Sequence, residues 1–488
     1  MTALLLTALI FSTSSAERFA GDAVIWAEIP NISQTFSRFE ATPLRSVYHQ
    51  IFTASERKLF DNSPASQLLA AIYYNKNNAI LDWQLVINAT SYASKYNQVI
   101  NSLLLRMGYK TVNSAKINEI VTYEYGPNFL INALLLENEI ALSPSSSILQ
   151  SIKQKISKPL SSSPSYVAKS VQAFDLRGGV DMQRYYGILA HQKNASLLAG
   201  ILDRLGMLEA DLLTFSVNIA KDNSIQSIVE LSFKGQQVKG LRSVIGPTVL
   251  PQDLPKIPVK ALGYFHASIA PLRLYEVVTL VANYLNPLEM SLLQTQLSDI
   301  EQQLGKSVNK DILGEVYRIW TLYFLADSKQ ILPVLQVEVA DADATASFLS
   351  ALTNRLPILN PDIEVQKSKI ANIPVYLINR GNTSIAALGL KQNQLFLTTS
   401  QSLLYIALTS KAKLNNFSAI ESASVYAHMG AKMWSKWLQS SYAGRKILSA
   451  AAVHHISKDK LADIFGHTNF SLAKSKRNLA MKLVIGQN

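Results

Sequence analysis

The sequence predicts an α+β fold of two homologous halves, each with antiparallel β-sheet packed against helices. Three observations predict it. The chain has 488 residues, and single cores stop growing near about 250. Segments that read as strands outnumber those that read as helices and follow one another closely, as antiparallel strands do. A pattern also occurs twice. Its clearer copy, Pro333 to Ser410, reads as a strand (Val334-Leu-Gln-Val-Glu-Val339), a helix opened by Asp341 or Asp343, strands at Pro374–Ile378, Ser384–Leu390 and Gln394–Thr398, and a helix at Ser402–Leu408. In the other copy Trp83-Gln-Leu-Val-Ile87 corresponds to Leu335–Val339. Asn138–Ser143 followed by Ser147–Leu149 corresponds to Asn393–Thr398 followed by Ser402–Leu404.

In order, Ala23-Val-Ile-Trp-Ala-Glu-Ile29 is a strand of β-branched and aromatic residues stopped by Pro30. Ser33 to Phe60 is helical, with Thr42-Pro43 a cap and first-turn pair. Leu68–Tyr74 and the Trp83 strand make a hairpin, and the helix Ser91–Met107 ends at Gly108. Three strands precede a helix at Ser147–Ile156, and Lys158 to Ser165 is a linker by composition. Val167–Phe174 is a strand, Asp181–Leu205 is mainly helical, and Leu212–Ile219 pairs with Ser227–Phe233. Four prolines between Pro247 and Pro258 separate the halves. The order then restarts with Ala261–Ser268 for the Trp26 strand, a helical stretch Leu272–Gln303, and Ile319–Leu325 for the Tyr73 strand. Ser424–His428 stands for Ser170–Phe174, and a hairpin from Phe470 to Val484 stands for the one at Leu212–Phe233. The resulting division is a leader at 1–16, a first half at 17–249, a Pro-rich linker at 250–258 and a second half at 259–488.

Residues 1–16 carry no charge and run Ala3–Phe11 into Ser14-Ser15-Ala16, the small residues a signal peptidase reads. The run is too short to span a bilayer, so it reads as a signal peptide or N-terminal anchor. The chain is therefore expected to be exported: periplasmic, at the cell surface or anchored. It has no cysteine, which excludes disulfides, thiolate zinc sites and cysteine nucleophiles. Lys and Arg exceed Asp and Glu by 46 to 34, an excess that favours anionic envelope surfaces if clustered and solubility if spread. The Asn-x-Ser/Thr sites read as chance, since Asn88 stands where the helix after the Trp83 strand needs a cap.

The order of elements resembles a family of exported bacterial proteins known as domain of unknown function 3352. The resemblance covers nearly the whole mature chain. It rests on Asp22–Pro30, on Leu304-Gly-Lys-Ser-Val-Asn-Lys-Asp-Ile-Leu313 before an aromatic strand, and on Ile373-Pro-Val-Tyr376 leading to Leu395–Ser400. The first half departs from it with Glu119-Ile-Val-Thr122 where the second has Ile-Pro-Val-Tyr. The resemblance implies an envelope or surface protein with no assigned chemistry.

Motifs for catalysis are missing. His454 and His455 with Asp463 and His467 concentrate metal-capable side chains, but adjacent histidines on a helix point about 100° apart and one ion needs further ligands. His428 reads as packing at a strand end. The serines at 143–147 and 398–402 lack a nucleophile elbow and sit where a helix wants an N-cap. No catalytic, cofactor or metal residues are therefore expected. The hairpin residues Lys474, Lys476, Arg477 and Lys482 are the candidate contact with an anionic surface, against the alternative of charges that protect a sheet edge. The expected function is a non-catalytic envelope binding or scaffold subunit with protein partners. The alternatives are a carrier of a lipid-like ligand and, less favoured, a hydrolase. Nucleic acid is not an expected partner.

Overall fold

The computed structural model describes residues 23–486 other than 43–44, 46–47, 50–51, 62–66, 76–79, 90–91, 113–118, 126–128, 156–173, 192–194, 236–237, 306, 308–315, 328–329, 414–421, 441–444, 446–447, 449–456 and 476. The leader at 1–16, the linker at 158–165 and all but Phe174 of the strand expected at Val167–Phe174 lie outside the described residues.

The first half runs β1 (Ala23–Ile29), α1 (Ile32–Phe39), α2 (Ala54–Asp61), β2 (Gln67–Asn75), β3 (Ile80–Asn88), α3 (Ala93–Arg106), β4 (Lys110–Thr111), β5 (Ile120–Tyr125), β6 (Phe129–Leu135), β7 (Glu139–Ser143) and α4 (Ser146–Lys155). It continues through β8 (Leu176–Asp181), α5 (Met182–Leu189), α6 (Ala195–Arg204), β9 (Ala210–Ile219) and β10 (Ile225–Phe233). A connection with α7 (Leu241–Val244) and β11 (Ile257–Pro258) leads on. The second half has β12 (Gly263–Ser268), α8 (Pro271–Leu285), α9 (Pro287–Leu304), β13 (Val316–Asp327), β14 (Gln330–Val339), α10 (Ala342–Leu359), β15 (Ile363–Ile370), β16 (Ile373–Arg380), β17 (Thr383–Lys391), β18 (Gln394–Thr398) and α11 (Gln401–Thr409). Then come β19 (Ala412–Lys413), β20 (Val425–Gly430), α12 (Ala431–Ser440), α13 (Lys458–Ile464), β21 (His467–Lys474) and β22 (Asn478–Ile485).

The mixed α+β class is as the sequence predicts, but the halves do not keep separate sheets. Among the described residues twenty strands form one sheet, and β11 with β19 forms a two-stranded piece. The first half pairs in the order β5-β6-β7-β3-β2-β1-β8-β9-β10. The second pairs in the order β16-β17-β18-β14-β13-β12-β20-β21-β22. They join where β10 pairs antiparallel with β22, with Ile228 opposite Lys482. Each half would otherwise end in an open edge of eight or more residues, and the junction satisfies both sets of unpaired backbone groups.

Local signals explain most element ends. Asn31 caps α1 by accepting from Gln34 N at 2.9 Å, and Asp341 caps α10 by accepting from Ala344 N at 2.9 Å. Thr53 and Glu56 form a reciprocal capping box at α2, with Thr53 N to Glu56 Oε2 at 2.7 Å and Glu56 N to Thr53 Oγ1 at 3.3 Å. Gly108 follows α3 with φ +91°, as expected of its left-handed stop. Asn88 lies in β3 and does not cap α3, whose N-cap position is Tyr92.

Hydrogen bonds set the correspondence between halves differently from the sequence alignment. Ala89 N donates to Asn138 O as Val339 N does to Asn393 O, and Ser143 Oγ donates to Trp83 O as Thr398 Oγ1 does to Pro333 O. Trp83 therefore holds the place of Pro333, two residues from the expected Leu335. A two-residue slip keeps every side chain on its own face, so burial patterning could not detect it. Val121 faces Ala133 as Tyr376 faces Leu388, so it stands for Tyr376 and not Val375. The place of His428, opposite Tyr264, is held in the first half by Gly179, opposite Trp26, and not by Phe174.

Helices cover both faces of the first half. On one, Ile32 and Phe36 of α1 and Tyr96 and Ile100 of α3 pack with Leu85, Ile87 and Leu142. On the other, Leu149 and Ile152 of α4 pack on Leu69, Val86 and Ala141. In the second half α11 supplies Leu403, Leu404 and Leu408 against Tyr323, Val334 and Phe396, and α10 supplies Leu349 against Ile378 and Leu388.

Candidate functional site

Strand register brings together side chains the sequence could not. On the face under α4 and α11, directly opposed residues form one row through the sheet. In the first half it reads Leu69, Glu28, Arg177, Ser216, and in the second Thr321, His266, Tyr426, Ser471. Glu28 thus holds the place of His266, and Arg177 that of Tyr426. Both sets are largely buried, but they are satisfied in different ways.

Glu28 is buried and accepts from Arg177 Nε at 2.6 Å and from Gln67 Nε2 at 3.2 Å. The Arg177 guanidinium also lies over the Phe174 ring at 4.3 Å. In the second half His266 and Thr321 are fully buried, with His266 Nδ1 and Thr321 Oγ1 2.8 Å apart. The Tyr426 hydroxyl donates to Val249 O at 2.6 Å and accepts from Ala423 N at 2.7 Å, tying the inter-half connection to β20. Tyr264 lies between two imidazoles: His266 at 5.4 Å, and His428 stacked at 5.3 Å with an interplanar angle of 28°. His428 Nδ1 is 2.9 Å from Asn469 Oδ1. Burial raises the phenols of Tyr264 and Tyr323 well above the usual tyrosine range.

The opposite face differs between halves. Ala27 and Leu142 are 4% and 6% exposed beneath the α1–α3 layer, whereas Phe265 and Leu397 at the same places are each 37% exposed. Leu322 and Leu335 beside them are also only partly covered. This part of the sheet presents larger apolar side chains to less cover.

The other residues singled out by sequence are dispersed. The Lys474 ammonium donates to Arg242 O at 3.0 Å and also to Ile245 O, ending α7, and burial followed by the Arg242 charge lowers its pKa. Arg477 is exposed, with its carbonyl accepting from Phe233 N at 2.9 Å. Lys482 lies mid-strand between Ile228 and Ser471, and Lys476 lies outside the described residues. Of this set, Lys474 is thus a structural tie and not a free cation. Replacing Lys474 with glutamine is expected to cost about 1–3 kcal/mol, the range for an interrupted charge-assisted bond, while Arg477→Gln leaves stability unchanged; paired urea denaturation curves check both.

His454 and His455 lie outside the described residues, Asp463 is in α13, and His467 opens β21. Among the described residues no group of three or more His, Cys, Asp or Glu could hold a metal ion. In the serine-rich turns, the Ser143 hydroxyl donates to Trp83 O and accepts from Ser145 N at 3.1 Å. Ser400 stands at the N-cap of α11, with its hydroxyl 2.7 Å from that of Ser402 and no side-chain cap bond. The Glu28–Arg177 pair was missed, although a lone glutamate inside the apolar Ala23–Ile29 strand was its visible signal.

No protein-family model matches the chain, and no curated protein sequence matches it. Among solved structures, crystal form III of TP0453 is similar with a TM-score of 0.29 and 10% identity over 48% of this chain and 84% of that one. Crystal forms IV and I give TM-scores of 0.28 and 0.27 at 10% and 12% identity, over 46% and 47% of this chain and 82% of each of theirs.

Proposed function

We propose that the chain is a non-catalytic, exported binding or scaffold subunit of a bacterial cell envelope, descended from a duplicated α+β unit, whose second half makes the contact. The asymmetry between equivalent positions carries this reading: Phe265 and Leu397 are open where Ala27 and Leu142 are closed. The matching order of pairing in the two halves supports duplication, and the uncharged apolar first sixteen residues support export. These features agree with the resemblance to domain of unknown function 3352. The buried polar row fits a structural role, with the imidazole of His266 beside the Thr321 hydroxyl and that of His428 beside the Asn469 side-chain amide. Protein partners are favoured because the apolar exposure continues on α9, where Leu288 and Leu292 are 79% and 65% exposed.

Native purification followed by mass spectrometry is the test, with a Leu288→Ser/Leu292→Ser variant in parallel. A stoichiometric protein that the variant loses is the expected result. A co-purifying lipid would replace this reading with that of a hydrophobic-ligand carrier, the second function favoured by the open sheet face. Any contact with an anionic surface is assigned to Arg477. Its glutamine variant is expected to bind anionic liposomes more weakly than wild type at low salt, with the difference vanishing as salt rises.

A further inference from the structure

The helical hairpin α8–α9 occupies the same place in the chain, after β12, that α1 and α2 occupy after β1. Its packing is different. Ile32 and Phe36 of α1 are buried in the core over the sheet, whereas α8 buries only Val277. No described residue of α8 or α9 belongs to a buried apolar cluster. Leu272, Val278, Leu280, Leu285, Leu288 and Leu292 are all exposed on it. One chain thus leaves two apolar surfaces in water, the hairpin and the sheet face that its counterpart covers.

The hairpin is secured elsewhere. Tyr284 on α8 donates from its hydroxyl to Ser196 O of α6 at 3.1 Å, and the Arg204 guanidinium of α6 lies 3.8 Å from the centre of its ring. Gly200 makes the approach possible, because a Cβ there would lie 2.1 Å from the Tyr284 hydroxyl oxygen. The hairpin has joints at both ends and in the middle: Ala270-Pro271 before α8, Asn286-Pro287 between the helices, and Gly305 with φ +63° after α9.

We infer that α8–α9 is a lid, latched open on α6 through Tyr284, that closes over the face formed by Phe265, Leu322, Leu335 and Leu397. Closure sets α9 beside α10 as α2 lies beside α3 in the first half. It removes apolar surface of both partners from water, at the expense of the Tyr284 hydrogen bond and the Arg204 cation–π contact, each individually weak, and of the packing of α8 on α6 and α7. The lid governs access to the face assigned to binding above, but it is a property of the isolated chain, and its test needs no partner.

The absence of cysteine makes site-specific spin labelling direct. Ser298 on α9 and Arg355 on α10 are exposed, and a Ser298→Cys/Arg355→Cys chain reports their separation by pulsed dipolar spectroscopy. The expected result is two distance populations, one matching the open arrangement and one shorter. Adding Gly200→Ala, whose methyl displaces the Tyr284 hydroxyl, is expected to at least double the shorter population. Tyr284→Phe, which keeps the ring and removes the hydrogen bond, shifts it in the same direction by less. A single open distance, unchanged in Gly200→Ala and Tyr284→Phe chains of wild-type circular dichroism, overturns the lid.

Discussion

Replacing Arg177 with methionine is expected to destabilise the fold by about 3–5 kcal/mol, the range for removing one partner of a buried ion pair. Arg177 and Glu28 are 17% and 10% exposed at their side chains and 2.6 Å apart, so the substitution leaves a carboxylate in the interior with the longer Gln67 hydrogen bond, 3.2 Å, still to bind it. The loss belongs mostly to that stranded charge. Removing it as well, with Glu28→Gln/Arg177→Met, is therefore expected to recover much of the stability. The second half offers a sharper variant, since His266 and Tyr426 stand at the same two places. Glu28→His/Arg177→Tyr is expected to be less damaging than Arg177→Tyr alone. Arg380, in an exposed pair with Asp362 at 3.3 Å, is the control, because such pairs contribute about 0–1 kcal/mol. Urea denaturation showing Arg177→Met no worse than Arg380→Gln would refute a stabilising role for the buried pair.

That row of the sheet also shows what can and cannot be read from one sequence. Period-2 runs locate strands well: the expected hairpins at Leu68–Ile87, Leu212–Phe233 and Phe470–Val484 are all present. Caps with a side-chain oxygen were legible too, as at Asp341. Strand β15 was not, because its residues alternate without an apolar face and its turn to β16 runs through Ala371 and Asn372 at φ 48° and 67°, without the glycine that usually marks such a turn. Partners across strands were beyond reach for a different reason. Glu28 and Arg177 are separated by 149 residues, and their meeting depends on the register of β1 on β8, which local propensity does not encode. The same holds for Lys474, read as part of an exposed cationic tip, whose ammonium is claimed by carbonyls 229 and 232 residues away.

Contact between the halves is governed by the same long-range register. The β10–β22 junction aligns Ile228 with Lys482 and carries the polar row from one half into the other, so the α4 and α11 faces lie on one side of one sheet. The halves then diverge where single residues differ within that shared frame: glutamate against histidine, arginine against tyrosine, a covered alanine against an open phenylalanine.

Above pH 10 the protein is expected to lose stability steeply, and Tyr323 is the residue that reports it. Burial raises the pKa of Tyr264 and Tyr323 most, and those of Tyr109, Tyr123, Tyr186 and Tyr426 in the same direction. A phenol whose folded pKa lies above its unfolded value contributes stability that is fully present below pH 10 and is lost as the pH climbs toward the folded pKa, because only the unfolded chain ionises in that interval. Each such group removes about 1.4 kcal/mol per pH unit there, so Tyr264 and Tyr323 together remove about 3. Lys474 acts in the opposite sense: its lowered pKa makes folding more favourable as the pH rises toward 10.5, but it is one group against several. The Tyr323 hydroxyl is buried with no hydrogen-bond partner among the described residues. Tyr323→Phe is therefore expected to leave stability at pH 7 unchanged or slightly higher, and to flatten the alkaline decline by one tyrosine's share. Urea midpoints measured from pH 7 to 11.5, with phenolate absorbance followed in the same samples, decide the matter. Parallel wild-type and Tyr323→Phe curves across that range would show that Tyr323 ionises as readily in the folded chain as in the unfolded one.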